Sequence, residues 1–506
     1  MNLMKRVLNV LKVAASVIFC VVLAAILVSS FFANGGEYSF YNSPNIIATI
    51  LLAVVIFAIT FVSYTLLIKR KKALSFRKEL LIVGAIMIIF FIALLFIGKI
   101  LAVTYSWDPN ELYWPVSSIL EGRGIDNIDY LSHYPFQLML VNLSVAFMAV
   151  VRFFGLALSV HAMWTALNII LIWGSLLIVY LILRKIFNAR IGIFGLILTG
   201  LFTPILLYAP IPYTDTFSMP FILLSFYLFL WLIDGKVKIR TRLILCVPFA
   251  ISAFLAFNLK ATAGVLLVAI LIYCWLTYDK KYLKLFFAFI GVCALVVIPL
   301  TAIYKYEQSQ LLDPKLTVPT THWVMMGLND GEFAGGWNKE DWSRTYDSMY
   351  AGRDMSSEHI EEIKNRLNSY GPINYMGFLA KKIAYTWGDG TYTVSDQLNK
   401  IPSHPDSLLY HIVAKDGRYN DMYITFAHAM QVFMLATFLW GGCITIRDRS
   451  FALILKITIV GIFLFFLIWE TTSRYLLNYL PLFVVLTVYM VDSLVKKYQK
   501  KLKFLL

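Results

Sequence analysis

The run LLIVGAIMIIFFIALLFIGKILAV, residues 80–103, carries one charge, Lys99, and is followed at once by TYSWDPNELY, residues 104–113. A helix crosses the hydrocarbon core of a bilayer with about 20 apolar residues. The run therefore reads as a span, and Asp108 falls a few residues past its end, at the level of the lipid headgroups. Comparable runs lie at about 7–33, 45–68, 157–183, 192–208, 217–233, 243–258, 262–278, 285–303, 424–446, 451–469 and 475–495. About twelve spans suit a chain of 506 residues that is 60% hydrophobic and 14% charged, since an average soluble protein is about 25% charged. A water-soluble globule and a disordered chain are both excluded. The expected fold is an all-α polytopic membrane protein.

Charge orients these spans, because short loops rich in Lys and Arg stay on the cytoplasmic side. The basic clusters are Lys5 and Arg6; Lys69 to Lys72 with Arg77 and Lys78; Arg184, Lys185 and Arg190; Lys236 to Arg242; Lys280, Lys281 and Lys284; Arg447 and Arg449; and Lys496 to Lys503. They predict a multi-pass plasma-membrane protein with both termini in the cytoplasm. One run, FQLMLVNLSVAFMAVVRFF at 136–154, breaks the alternation if it crosses. It contains Gln137, Asn142, Ser144 and Arg152, and is expected to lie at the outer interface or to re-enter partway. Of the 29 acids, Glu79, Asp234, Asp279, Asp448 and Asp492 then face the cytoplasm and the rest face outward. The net charge of +15 is thus an orientation signal with some attraction for anionic membrane lipids, and nucleic acid binding is not implied. The cysteines, Cys20, Cys246, Cys274, Cys293 and Cys443, sit singly in apolar runs and predict neither a disulfide framework nor a zinc site.

Two outer segments are large, about 104–156 and 304–423. They divide the chain into two N-terminal spans (1–79), a membrane core (80–303), an extracellular loop domain (304–423), and C-terminal spans with a basic tail (424–506). Within the loop domain, Ser356-Ser357-Glu358 precedes Ile360, Ile363 and Leu367 at helical spacing and Gly371-Pro372 ends the pattern. A second helix is expected over 373–386.

Chemistry is expected in these outer segments. Asp108 can reach a lipid phosphate and a water-borne hydroxyl together; it also reads as a helix N-cap, with Pro109 and Glu111 in the first turn. Asp129 and His133 could bind a divalent cation or move a proton, or belong to a solvated loop. Short outer loops otherwise avoid positive charge, so two exceptions stand out: Lys260, and Arg474 between Glu470 and Tyr475. Each suits a phosphate, and each could instead snorkel to phospholipid headgroups. His322-Trp323 and Trp337, close to Gly335-Gly336, have the aromatic and amide character of sugar recognition and also that of an interfacial belt. Asp215 is a lone acid in Pro210-Ile211-Pro212-Tyr213-Thr214-Asp215, whose neighbours reveal no role.

Taken in order, these features resemble the GT-C superfamily of membrane glycosyltransferases, which includes protein O-mannosyltransferases and the aminoarabinose transferase of lipid A. The family's first-loop aspartate is matched by Asp108 in WDPNELY. Its acid- and proline-containing stretch before a second interfacial helix is matched by Asp129 to Pro135 and the 136–154 run. The Pro-rich turn from Pro204 to Asp215, the hairpin Lys260, and Arg474-Tyr475 before a span with Pro481 also correspond. The resemblance covers about 80–300 and 424–495, and the His322 to Gly327 stretch is similar to Gram-positive members thought to decorate cell-surface polymers. In two respects the chain departs from the pattern: two spans precede the usual first one, and Ser132 or His133 stands where the family has a second acid.

The resemblance implies a GT-C-like bundle of about 12 transmembrane helices with juxtamembrane helices on its outer face. It further implies transfer of a sugar from a polyprenyl-phosphate-linked donor to a hydroxyl of an extracellular glycan, polymer or protein, with the active site on the extracellular face. Asp108 would be the general base, supported by Glu111, Asp129 and His133, with Asp108, Asp129 and His133 sharing a divalent cation such as Mg or Mn. Lys260, Arg474 and Tyr475 would hold the donor phosphate, and His322, Trp323 and Trp337 the acceptor or sugar. A transporter or flippase of lipid-linked saccharides, or a ligase or polymerase of them, is the alternative; the first would need ionisable groups at mid-membrane.

Overall fold

The computed structural model describes residues 2–37, 39–70, 73–277, 283–448 and 450–505. Lys71, Lys72, Asp279, Lys280, Lys281 and Arg449, which helped to orient the topology, lie outside the described residues. Among the described residues the chain is helical throughout, with two isolated β-bridges and no strand. Among the described residues, ten helices are long and apolar enough to cross a membrane, and three shorter apolar helices occupy Ala189–Leu201, Ala261–Leu276 and Ala452–Ile468. Every apolar run expected as a span coincides with one of these thirteen. The remaining one is Pro135–Phe153, the run expected at the interface; by length and composition alone it would also qualify as a span.

Burial sorts the helices into centre and periphery. In its most apolar window the last one, Ser473–Gln499, is 89% buried, with Thr214–Leu232 at 78% and Asn420–Ile444 at 72%. Ile46–Lys69 and Phe76–Ile100 reach 17%, and Phe286–Leu311 none. A helix that is apolar all round and still uncovered by protein is one that lipid must cover, so these three form the rim. At the end of the bundle carrying the basic loops, each described acid is hydrogen-bonded. Glu79 meets Arg184 and Tyr180, Asp234 meets Lys185, Asp448 meets Tyr489, and Asp492 accepts from Tyr64 at 2.9 Å.

The opposite end builds a roof over the bundle. Thr104 N donates to Ile401 O at 2.9 Å and Ser403 N to Ala102 O at 2.8 Å, which pins the exit of helix Phe76–Ile100 to the loop near residue 400. Helix Trp107–Leu120 follows, and Arg152 at the end of Leu138–Phe153 caps it by donating to Leu120 O. The roof is completed by Thr320–Gly327, Lys339–Tyr350 and Met355–Trp387. The last is two helices joined at Gly371 (φ 62°, ψ 168°), capped at its start by Asp354. The expected stop at Gly371-Pro372 is therefore a sharp break, with a second helix beyond it. A buried ion pair, Arg366 with Asp341, ties the roof helices together. Helix Leu283–Leu311 runs past the expected boundary at 303, and Asn142 on the neighbouring helix holds its Glu307 at 2.9 Å.

Candidate active site

A cavity of about 1880 Å³ opens between roof and bundle. It is lined by Asp108, Glu111, Asp129, His133, Lys260, His322, Trp323, Trp337, Arg474 and Tyr475, every residue to which the resemblance gives a role.

Its floor is a charge cluster. Asp215, in the first turn of Thr214–Leu232, is fully buried and accepts from Lys260 at the end of Ile239–Leu259 and from Arg474 Nη1 at 2.8 Å. Two cations thus share one carboxylate. Arg474 has a planar fork of five donors and spends one on this contact. Its guanidinium lies 4.6 Å from the Trp107 ring centre, 4.9 Å from Tyr213 and 5.3 Å from Tyr475, while the Lys260 ammonium lies 4.5 Å from Tyr475. Aromatic faces hold cations without neutralising them. Burial lowers the Lys260 pKa against the pull of Asp215, and burial lifts the neighbouring Glu470 to about 6.

Asp108 stands beside this cluster. Helix Trp107–Leu120 starts one residue before it, and the N-cap position, Ser106, makes no side-chain cap bond. The carboxylate instead accepts from the Tyr213 hydroxyl at 2.6 Å, and that hydroxyl accepts from Gln137 Nε2 at 2.9 Å. Tyr130 packs against the same carboxylate, and its hydroxyl pKa is raised well above the ordinary value, first by burial and then by the charge of Asp108. Trp107 has φ 49°, a left-handed conformation that costs a bulky residue free energy and gathers at functional sites. It turns the chain so that the ring covers Arg474 while the next residue reaches Tyr213.

The remaining residues are distributed around the cavity. Glu111 is tied to Asn127 at 2.7 Å. His133 faces the Tyr346 hydroxyl at 3.2 Å through Nδ1, its Nε2 is buried without a partner, and burial lowers its pKa. His322 is buried, bonded to Thr345 at 2.7 Å, and held by burial at about 4, which makes it a neutral brace between roof helices. Trp323 packs near Tyr134 and Trp469, and Trp337 is exposed. The cation set expected from Asp108, Asp129 and His133 is not assembled. Asp108 is engaged by tyrosines, His133 by Tyr346, and among the described residues no group of three or more His, Cys, Asp or Glu is arranged to hold a metal ion.

Asp215, Tyr213, Gln137 and Tyr130 went unassigned from sequence. Asp215 had one signal: a lone acid in a short outer loop is the natural counter-ion for two lone outer cations. The others carried none.

A family model described as a conserved hypothetical integral membrane protein matches residues 3–495. The chain belongs to that family. No curated protein matches it. Among solved structures it is similar to the archaeal oligosaccharyltransferase AglB from Archaeoglobus fulgidus, in complex with an inhibitory peptide and a dolichol-phosphate (13% identity, 85% of this chain and 52% of that one, TM-score 0.44). It is also similar to ArnT from Cupriavidus metallidurans bound to undecaprenyl phosphate (13% identity, 80% and 77%, TM-score 0.36) and to ArnT in the apo state (15% identity, 81% and 77%, TM-score 0.36). The chain spans about half the length of AglB.

Proposed function

We propose that this membrane protein is a GT-C type glycosyltransferase that moves a sugar from a polyprenyl-phosphate donor to a hydroxyl of an extracellular acceptor. The observation that carries the reading is Tyr213. Its hydroxyl bonds Asp108 and its ring lies 4.9 Å from Arg474, so a carboxylate and a cation cluster stand side by side in one cavity.

The lining continues among the spans through Phe254, Phe257, Leu267 and Val297, an apolar path for a lipid tail. With the phosphate on Lys260 and Arg474, Asp108 takes the proton of the acceptor hydroxyl as its oxygen bonds the anomeric carbon. The bond from that carbon to the phosphate oxygen breaks, its electron pair leaves with the polyprenyl phosphate, and the anomeric configuration inverts. Lys260 and Arg474 neutralise the charge growing on the phosphate. With the basic loops in the cytoplasm, this cavity opens on the outer face.

The test is transfer of label from a panel of radiolabelled polyprenyl-phosphate sugars, with and without EDTA, by the purified protein. Turnover with one or more donors is expected; a protein that translocates the lipid across a vesicle without transferring sugar would overturn the reading.

A further inference from the structure

The cavity is larger than one phosphosugar requires. Ligand pockets usually measure about 300–1,000 Å³, against about 1880 Å³ here, and the charge cluster occupies only its floor. Helix Lys339–Tyr350 forms part of the roof and points Trp342, Tyr346 and Tyr350 into the same space. At spacing i, i+4, i+8 they make one stripe along the helix, with rings rising about 6 Å apart. Neighbouring ring centres are 4.3 Å and 6.2 Å apart. Trp342 is 36% exposed and Tyr350 66%, so Tyr350 in particular contributes little to a core.

The stripe is braced by His133 and Tyr134 in the cavity that Asp108 also lines. Tyr346 donates to or accepts from both His133 Nδ1 and the Tyr134 hydroxyl at 3.2 Å, and the charge of Asp108 acts on both tyrosines. We infer that Trp342, Tyr346 and Tyr350 form an acceptor subsite for a neutral oligosaccharide, whose pyranose rings stack along the stripe and bring a hydroxyl to Asp108. Aromatic faces with polar tips suit a ligand that alternates C–H faces and hydroxyls. The inference rests on the donor reading above for its direction of transfer and extends it by naming the acceptor class.

The experiment titrates the purified full-length protein with maltotriose, cellotriose and chitotriose, with a Ser- and Thr-rich hexapeptide, and separately with undecaprenyl phosphate, followed by saturation-transfer NMR. At least one trisaccharide should saturate the wild type. Trp342→Ala and Tyr350→Ala should each weaken it about tenfold, while Trp342→Phe, which keeps a stacking face, retains binding. Undecaprenyl phosphate should bind all variants alike, which also shows that they fold. Three results overturn the subsite: no trisaccharide binds, binding is indifferent to both alanine variants, or the peptide binds in a stripe-dependent way. Failure of undecaprenyl phosphate to bind the wild type, with stripe-dependent trisaccharide binding intact, sinks the donor reading and supports the subsite.

Discussion

Asp215 and Arg474, 259 residues apart in the chain, meet at 2.8 Å with the carboxylate fully buried. Lys260 completes the cluster from a third helix end, so one acid organises both cations of the site. Removing one partner of a buried ion pair costs about 3–5 kcal/mol, because a charge is left uncompensated. Asp215→Asn should therefore destabilise the fold by that order, read as a lower thermal unfolding midpoint in detergent. The double variant Asp215→Asn with Lys260→Met should recover part of the loss, since it also removes a like charge; strictly additive losses would contradict the pairing.

Asp108→Asn keeps the shape of the side chain and removes its basicity. General-base action is worth about 10²- to 10⁴-fold, so turnover should fall by that factor while undecaprenyl phosphate binding stays unchanged. Wild-type turnover in this variant would remove Asp108 from the mechanism.

Tyr213→Phe deletes the donor to Asp108 and the acceptor of the Gln137 amide in one step. A hydrogen bond to a charged group contributes about 1.5–3 kcal/mol. The expected result is a lower kcat with little change in KM for the donor, because Lys260 and Arg474 are untouched. An effect confined to KM would place Tyr213 in donor binding instead.

Glu470 offers a test by pH. Its carboxyl is raised by burial from the ordinary 4.5 to about 6, so the folded state holds the proton more tightly than the unfolded one. Stability is then lost as pH rises from about 4.5 to about 6 and stays lower above. Glu470→Gln escapes that loss and should be more stable than the wild type at pH 7.5 by up to about 2 kcal/mol, read as a higher midpoint, with the gap closing near pH 4.5. A wild type more stable than the variant at pH 7.5 would mean that attraction to the nearby cations outweighs burial.

Gly335 has φ +66°, and a Cβ there would sit 2.5 Å from Lys382 Cε and 2.8 Å from Gly327 O. Lys382 is itself buried, with its ammonium on the carbonyl of Gly327. Gly335→Ala should cost about 1–3 kcal/mol from backbone strain and overpacking, read as a lower unfolding midpoint; an unchanged midpoint would show that the roof yields at this point.

Helical spans were legible because hydrocarbon imposes a length and a composition that no neighbour needs to supply: a run such as 80–103 is a helix whatever it packs on. The break at Gly371-Pro372 was legible for a similar local reason. Lys260 and Arg474 were visible as cations placed against the charge asymmetry of their loops, and Asp108 as an acid just past a span. What Asp108 does at its helix start was misread, since the capping pattern is local while its partner Tyr213 lies 105 residues away. Asp108 and His133 likewise meet partners from distant segments, Tyr213 and Tyr346, which no local pattern shows.

Sequence alone determined that the chain is a helical membrane protein and marked candidate site residues just past the ends of its spans, because hydropathy and charge asymmetry are properties of single segments. Only the tertiary structure decided that Asp215 joins the two cations, that Tyr213 sets Asp108 beside them, and that an aromatic stripe from the roof shares their cavity. Those relations depend on which helix ends meet, and that is settled by packing among segments hundreds of residues apart.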